Sequence, residues 1–142
     1  MIDTLMIGYG NWGRGVARVL SELGRLYAIV ENDQQRVEQA KLQHSEVKIF
    51  SNIDEAFADS SIKSVFITTP PKTHYFIAER ALQNDKDVFV EKPLSLNVKD
   101  GEALTRLAKK KNKILMVGHI LEYHPAVTKL KEVVNSGEVG KI

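Results

Sequence analysis

"MIGYGNWGRG", residues 6–15, carries glycines at positions 8, 10 and 13. The spacing is G-x-G-x-x-G, which alone marks only a glycine-rich turn. Its surroundings give it meaning. A short apolar run, "TLMI" (4–7), leads into it. An amphipathic run, "NWGRGVARVLSEL" (11–23), follows, with Val16, Val19, Leu20 and Leu23 at helical spacing. In a strand that turns through glycines into a helix, Gly8 allows the tight turn. Gly10 lets the backbone approach a pyrophosphate, and Gly13 lets helix and strand pack closely. The start of that helix, at Asn11 and Trp12, adds free N–H groups and the positive end of a dipole, both suited to phosphate.

The same alternation continues along the chain. Short runs rich in Val, Ile and Phe lie at 26–30, 48–50, 64–68, 87–90 and 113–117. Between them are longer helix-prone segments at 33–43, 72–84, 97–111 and 124–137. A further short helix opens at Asn52, which has Glu55 at capping-box spacing. The helix over 72–84 is expected to turn Phe76, Ile77 and Ala81 inward, and the helix over 97–111 to bury Leu104, Leu107 and Ala108. Gly137 stops the last helix. This order predicts βαβ units in an α/β fold. The expectation is a doubly wound, Rossmann-type parallel sheet with helices on both faces, its strands continuously apolar because both faces are covered.

Composition limits the function classes. The chain has 142 residues, 43% hydrophobic and 27% charged, which suits one soluble globular domain. It has no cysteine, which excludes disulfides, thiolate chemistry and Cys-based zinc sites. A net charge of +2 gives no argument for nucleic acid or a membrane surface. The N-terminus lacks a basic region followed by a long apolar one. No apolar run approaches the ~20 residues that cross a bilayer. A cytoplasmic location is the expectation. His119 and His124 are five residues apart and do not make a metal site, so none is predicted.

Cofactor preference is read at the end of the second strand, "LYAIVEND" (26–33), where Glu31 follows the glycines at the distance of a ribose-binding acid. A carboxylate there accepts from ribose hydroxyls and repels a 2′-phosphate, which favours NAD over NADP. Arg36, close by, softens that preference. Open α/β sheets bind ligands outside the carboxyl ends of their strands. Three further groups fall at such ends: Thr68, Thr69 and Pro70; Glu91, Lys92 and Pro93; and Gly118 with His119.

Taken in order, "GYGNWG" (8–13), "TTPPKTH" (68–74), "EKP" (91–93) and "GHILEYHP" (118–125) resemble the Gfo/Idh/MocA oxidoreductases over essentially the whole chain. The last segment is similar to the version in their nucleotide-sugar 3-dehydrogenases. The resemblance implies an NAD(P)-dependent dehydrogenase acting on sugars, inositols or related compounds. It places Lys92 beside the nicotinamide and the substrate carbinol, where a cation stabilises developing alkoxide character and relays a proton. It also implies a cis bond between Lys92 and Pro93, a linkage at which cis is cheap. Glu91 either orients Lys92 or contacts the nicotinamide ribose or amide. Thr69, Pro70 and His74 match a segment that lines the cofactor's path. His119, Tyr123 and His124 lie near the nicotinamide and the substrate entrance.

The family has a second α/β domain that supplies most substrate contacts, and the match here stops near its first strand. Residues 1–122 are therefore expected to form the NAD-binding domain, and 123–142 a linking helix and the start of the absent domain. The expected function is hydride transfer between a nicotinamide and a sugar or nucleotide-sugar secondary alcohol, with little or no turnover by the isolated chain. Self-association, or a separate chain carrying the substrate domain, follows from the apolar surface left open. The rival reading is a non-enzymatic NAD(H)-binding or redox-sensing module.

Overall fold

A computed structural model describes residues 3–140. Six strands alternate with six helices: β1 (Thr4–Ile7), α1 (Asn11–Glu22), β2 (Leu26–Val30), α2 (Gln34–Gln43), β3 (Lys48–Phe50), α3 (Ile53–Ala58), β4 (Ser64–Ile67), α4 (His74–Gln83), β5 (Asp87–Val90), α5 (Val98–Lys111), β6 (Leu115–Val117) and α6 (Pro125–Ser136). Short 3-10 turns at Pro71–Thr73 and Ile120–Tyr123 precede α4 and α6. The sheet runs β3-β2-β1-β4-β5-β6, and every pairing is parallel. The chain winds outward from β1 in one direction and from β4 in the other. This is the doubly wound Rossmann order, and it opens a crevice above the carboxyl ends of β1 and β4.

Side-chain alternation sends the strands into two cores. Leu5, Ile7, Val30, Val65, Ile67, Val88 and Val90 pack under Phe57 of α3, Ile77 and Ala81 of α4, and Leu104 and Ala108 of α5. Met6 and Ile29 face the other way, against Ala17 and Leu20 of α1 and Ala40 of α2. Helices thus cover both faces, as expected. On the second face, Phe66 and Phe89 stack with ring centroids 4.6 Å apart. Beside them Met116, on the edge strand β6, is exposed.

The helix faces differ from the expected ones in two places. In α1, Val19 and Leu23 are exposed, and the buried side is Gly13, Ala17 and Leu20. The need to bring Gly13 against β1 rotates the small residues, rather than the bulkiest, onto the sheet. In α4, Phe76 points outward beneath Arg80, whose guanidinium lies 5.4 Å from the ring centroid. His74, Ile77, Ala78, Ala81 and Leu82 form the buried side. Asn52 does cap α3, but it accepts from the Asp54 N–H.

α6 starts at Pro125, where the His124 ring accepts from the Ala126 N–H, and stops at Gly137 with φ +79°. None of its described side chains is buried. The expected boundary between residues 122 and 123 falls inside the 3-10 turn that leads into it. Residues 1–2 and 141–142, the outer limits of the two expected segments, lie outside the described residues.

Candidate dinucleotide-binding site

Gly8 follows β1 at φ +93°, a region closed to most side chains, and a Cβ there would crowd the Thr68–Thr69 backbone. Gly13 is held more tightly. A Cβ on it would overlap the carbonyl oxygen of Gly8 and sit 2.8 Å from Thr68 Oγ1. Around Gly10 only the Arg36 guanidinium comes within 4 Å, at 3.9 Å. Gly10 is the N-cap of α1 and supplies no side-chain cap, so the first turn presents open N–H groups. The turn expected at Gly8 and the close helix–strand approach expected at Gly13 are both present. Asn11 and Trp12 are both exposed on that first turn. The Asn11 amide oxygen accepts from Arg14.

Two neighbouring segments brace the loop. The Thr68 hydroxyl donates to the Gly8 carbonyl at 2.8 Å. Glu31, nearly buried, accepts the Tyr9 N–H at 2.7 Å on one carboxylate oxygen. Its other oxygen takes the N–H groups of Asn32 and Asp33, at 2.8 and 3.1 Å. Arg36 lies 3.7 Å from the first oxygen. Glu31 therefore fixes the glycine loop. Tyr9 is the part that sequence reasoning missed. It occupies a variable position of the pattern, yet it is fully buried, and its hydroxyl donates to Gln43 at 2.7 Å.

The crevice has two halves that share Thr69 as a wall. A cleft of about 470 Å³ is lined by Gly8, Glu31, Asn32, Thr69, Pro70 and Thr73, among others. A second, of about 440 Å³, is lined by Trp12, Thr68, Thr69, His74, Glu91 and Lys92. Thr69 belongs to both. A third space of about 460 Å³ joins Lys92 to Gly118, His119 and Glu122. The three spaces share wall residues and are lined by Gly8, Trp12, Glu31, Thr68, Thr69, Pro70, His74, Glu91, Lys92 and His119 of the predicted set, whereas Gly10, Asn11, Gly13 and Pro93 line none of them. A larger groove, about 680 Å³, runs along Leu94–Arg106 and contains none of them.

At the Lys92 end the groups are tied to one another. The Trp12 indole donates to Glu91 Oε1 at 2.6 Å, bridging the glycine loop and the end of β5. The other oxygen of Glu91 accepts the Lys92 N–H at 3.2 Å. Gly118 is buried, and a Cβ there would meet Glu91 Oε1 at 2.8 Å and Phe89 Cζ at 3.0 Å. A side chain there would have to displace the Glu91 carboxylate that Trp12 holds. Lys92 is exposed, and the Lys92–Pro93 bond is cis, as the resemblance implies. His74 is the exception to an open lining. It is 1% exposed, with Nδ1 2.7 Å from the Pro93 carbonyl and Nε2 2.8 Å from the Thr69 carbonyl. His119 is exposed, and so is Tyr123.

A sequence model described as "Oxidoreductase family, NAD-binding Rossmann fold", of the Gfo/Idh/MocA group, matches residues 2–119. The chain belongs to the Gfo/Idh/MocA oxidoreductase family. Among curated relatives, a UDP-N-acetylglucosamine 3-dehydrogenase of Acidithiobacillus ferrooxidans is 29% identical over 91% of this chain and 40% of its own length. A scyllo-inositol 2-dehydrogenase (NAD(+)) of Bacillus subtilis is 36% identical over 61% of this chain and 25% of its own. The crystal structure of a myo-inositol 2-dehydrogenase from Lactobacillus plantarum superimposes with a TM-score of 0.90 at 27% identity, covering 99% of this chain and 43% of that one. The chain thus spans about 40% of the first of these relatives. Family and fold together make it an NAD-binding Rossmann domain. Its residues fit the cofactor, since the close approach at Gly13 and the uncapped N–H groups after Gly10 form a cradle for a pyrophosphate.

No helix among the described residues is long and apolar enough to cross a membrane. No group of three His, Cys, Asp or Glu side chains among them is placed to hold a metal ion.

Proposed function

We propose that this chain is the cofactor-binding part of a dehydrogenase that moves a hydride between nicotinamide and a secondary alcohol of a sugar, inositol or nucleotide sugar. The observation that carries this reading is the pair of clefts, sharing Thr69, that runs from Gly8 and Glu31 to Lys92. Bound NAD supplies the hydride acceptor or donor. The protein's own groups do the rest. Glu31 faces the adenosine ribose, and the α1 N-terminus takes the pyrophosphate. Thr69 and Pro70 wall the middle of the path. Lys92 stands at the far end, where its ammonium donates to the carbinol oxygen and stabilises the alkoxide character that develops as the hydride departs, the hydroxyl proton passing to a base of the substrate-reading domain. Trp12 and the Lys92 N–H each bond one oxygen of Glu91, which supports a role for it in orienting the lysine turn. It ties the glycine loop to the lysine turn. His119 and Tyr123, exposed beyond Lys92, are positioned on the substrate side.

Residues 1–122 are the cofactor domain in this reading, and 123–142, with α6, are the link to a substrate-reading domain, on the same chain or a separate one. Self-association of the open apolar surface is the accompanying proposal. A pure NAD(H) sensor would need no ammonium at the nicotinamide end, and Lys92 weighs against that alternative.

The test is a titration of the purified chain with NADH and NADPH, followed by the emission of Trp12, the only tryptophan. Tighter NADH binding, with quenching of Trp12, is expected. Turnover of sugar or inositol alcohols is expected only when the substrate domain is present, and to vanish on Lys92→Met with NADH binding kept. Turnover that survives Lys92→Met would remove Lys92 from the reaction.

A further inference from the structure

We infer that His74 carries a proton on both ring nitrogens in the folded chain and acts as a positioning residue, clamping the turn after β4 to the turn that holds Lys92. The juxtaposition is direct. Its two ring nitrogens face two backbone carbonyls, Pro93 at 2.7 Å and Thr69 at 2.8 Å. A carbonyl oxygen only accepts, and a neutral imidazole has only one N–H. A neutral ring would therefore set a nitrogen lone pair against an oxygen lone pair at one end. With the side chain 1% exposed, water cannot separate them. The doubly protonated ring satisfies both carbonyls, and the lengths agree with it, since N–H···O bonds from an ionised donor run ~2.7–2.9 Å.

Two forces oppose a cation at this place. Burial removes its hydration, and His74 opens α4, whose dipole is positive there. The two carbonyls must outweigh both, helped by the Glu91 carboxylate on the wall of the same cleft. Lys92 lines that cleft too and adds like charge. A fold that keeps a cation against those terms gains a rigid span in return. Thr69 follows β4 and Pro93 adjoins Lys92, so one ring sets the spacing of the two crevice walls. His74 therefore lines the cofactor's path without offering it a free polar atom. Its effect on Lys92 passes through Pro93. That positioning role rests on the hydride-transfer reading, whereas the proton count stands apart from it.

The experiment is nitrogen-15 NMR of the labelled chain at neutral pH, observing the imidazole groups, with His74→Gln as the control for assignment. Both ring nitrogens of His74 are expected to report as protonated, with slowly exchanging protons and hydrogen-bond couplings to the Thr69 and Pro93 carbonyls. One protonated and one bare nitrogen would overturn the inference. The second arm is NADH affinity. A glutamine donates to only one of two carbonyls this far apart, so His74→Gln is expected to weaken NADH binding about tenfold, the scale of one lost charge-assisted hydrogen bond. Wild-type affinity in that variant would show that one donor suffices and would overturn the positioning role. If the variant does not fold, the spectrum of the native chain decides. Failure of the native chain to bind NADH would count against the proposed function and leave the ring's proton count measured.

Discussion

The two ends of the sheet treat their polar groups in opposite ways. At the amino ends of the strands they close on one another. Asp3 pairs with Arg25 at 3.1 Å. Asp59 accepts from Tyr27 and Lys48, which also touch each other. Lys86, buried, gives its ammonium to the carbonyls of Ile62 and Asp59 at 2.8 and 3.3 Å. At the carboxyl ends, polar groups are fixed but left facing outward. The α1 N–H groups have no side-chain cap, and Lys92 is held by its backbone with an exposed side chain. Bonds that end within the chain stabilise it. Bonds that hold a group in place while leaving its face free prepare it for a ligand. Substitutions at the two ends should therefore separate stability from NADH binding, and each prediction below can break that division.

The largest effect is expected from Gly13→Ala. The added methyl meets the Gly8 carbonyl and Thr68 Oγ1, and the backbone on one side cannot yield as a flexible side chain would. Overpacking typically costs about 1–3 kcal/mol, and here it also displaces the loop proposed to take the pyrophosphate. NADH quenching of Trp12 should disappear, and the urea midpoint should fall. Retained quenching would show that the close approach of α1 and β1 is not what shapes the site.

Glu31→Gln comes next. The carboxylate accepts three backbone N–H groups on its two oxygens. An amide must turn its NH₂ toward one side, leaving a donor against donors, at a cost of about 1–3 kcal/mol. The same change removes the charge that repels a 2′-phosphate, with Arg36 already 3.7 Å away. The NADPH:NADH affinity ratio should rise about tenfold, a modest share of the Coulomb term for charges this close. An unchanged ratio would make Glu31 a brace for the loop and nothing more.

How much of this was legible follows from the kind of contact involved. The strands, their parallel order and the glycine roles were readable because each is a local pattern: apolar runs, helical spacing, and a turn that only glycine permits. The places of Glu31 and Lys92 just past β2 and β5 were readable because apolar runs mark where strands end. The grip on Glu31 by the N–H groups of Tyr9, Asn32 and Asp33 was not, since backbone donors have no signature in the sequence. The Trp12–Glu91 bridge joins residues 79 positions apart and shows only when the sheet brings them together. The inward faces of α1 and α4 were misread at Val19, Leu23 and Phe76 for a related reason. Spacing gives the period of a helix, but its rotation is set by the closest approach, here Gly13 on β1 and His74 between two carbonyls.

Asp59→Asn tests the other end. The Ser61 N–H above all, then Lys48 and Tyr27, hold the Asp59 carboxyl at about 2, below its ordinary 3.8. Because the folded-state value is depressed, the stability it contributes is complete above the unfolded value and is lost as the pH falls through about 2. The difference in urea midpoint between native chain and variant should be steady above about pH 5 and shrink toward zero near pH 2. NADH affinity at neutral pH should not change. A weaker affinity would mean the amino-end cluster reaches the crevice.

The smallest effect is expected two residues beyond the most sensitive glycine. Gly15 lies inside α1 on its exposed side, and a Cβ there would meet nothing within 4 Å. Gly15→Ala should then raise stability by roughly 0.5–1 kcal/mol, because alanine loses less backbone entropy on entering a helix and adds no clash. NADH affinity should stay as it is, since the proposed pyrophosphate cradle runs only from Gly8 to Gly13. Set beside Gly13→Ala, the pair asks whether the loop depends on glycine as such or on one close approach. If Gly15→Ala also weakened NADH binding, the site would extend further along α1 than the Gly10 turn. If it lowered stability, the exposed face of α1 would have a neighbour, and that neighbour would have to come from outside the described residues.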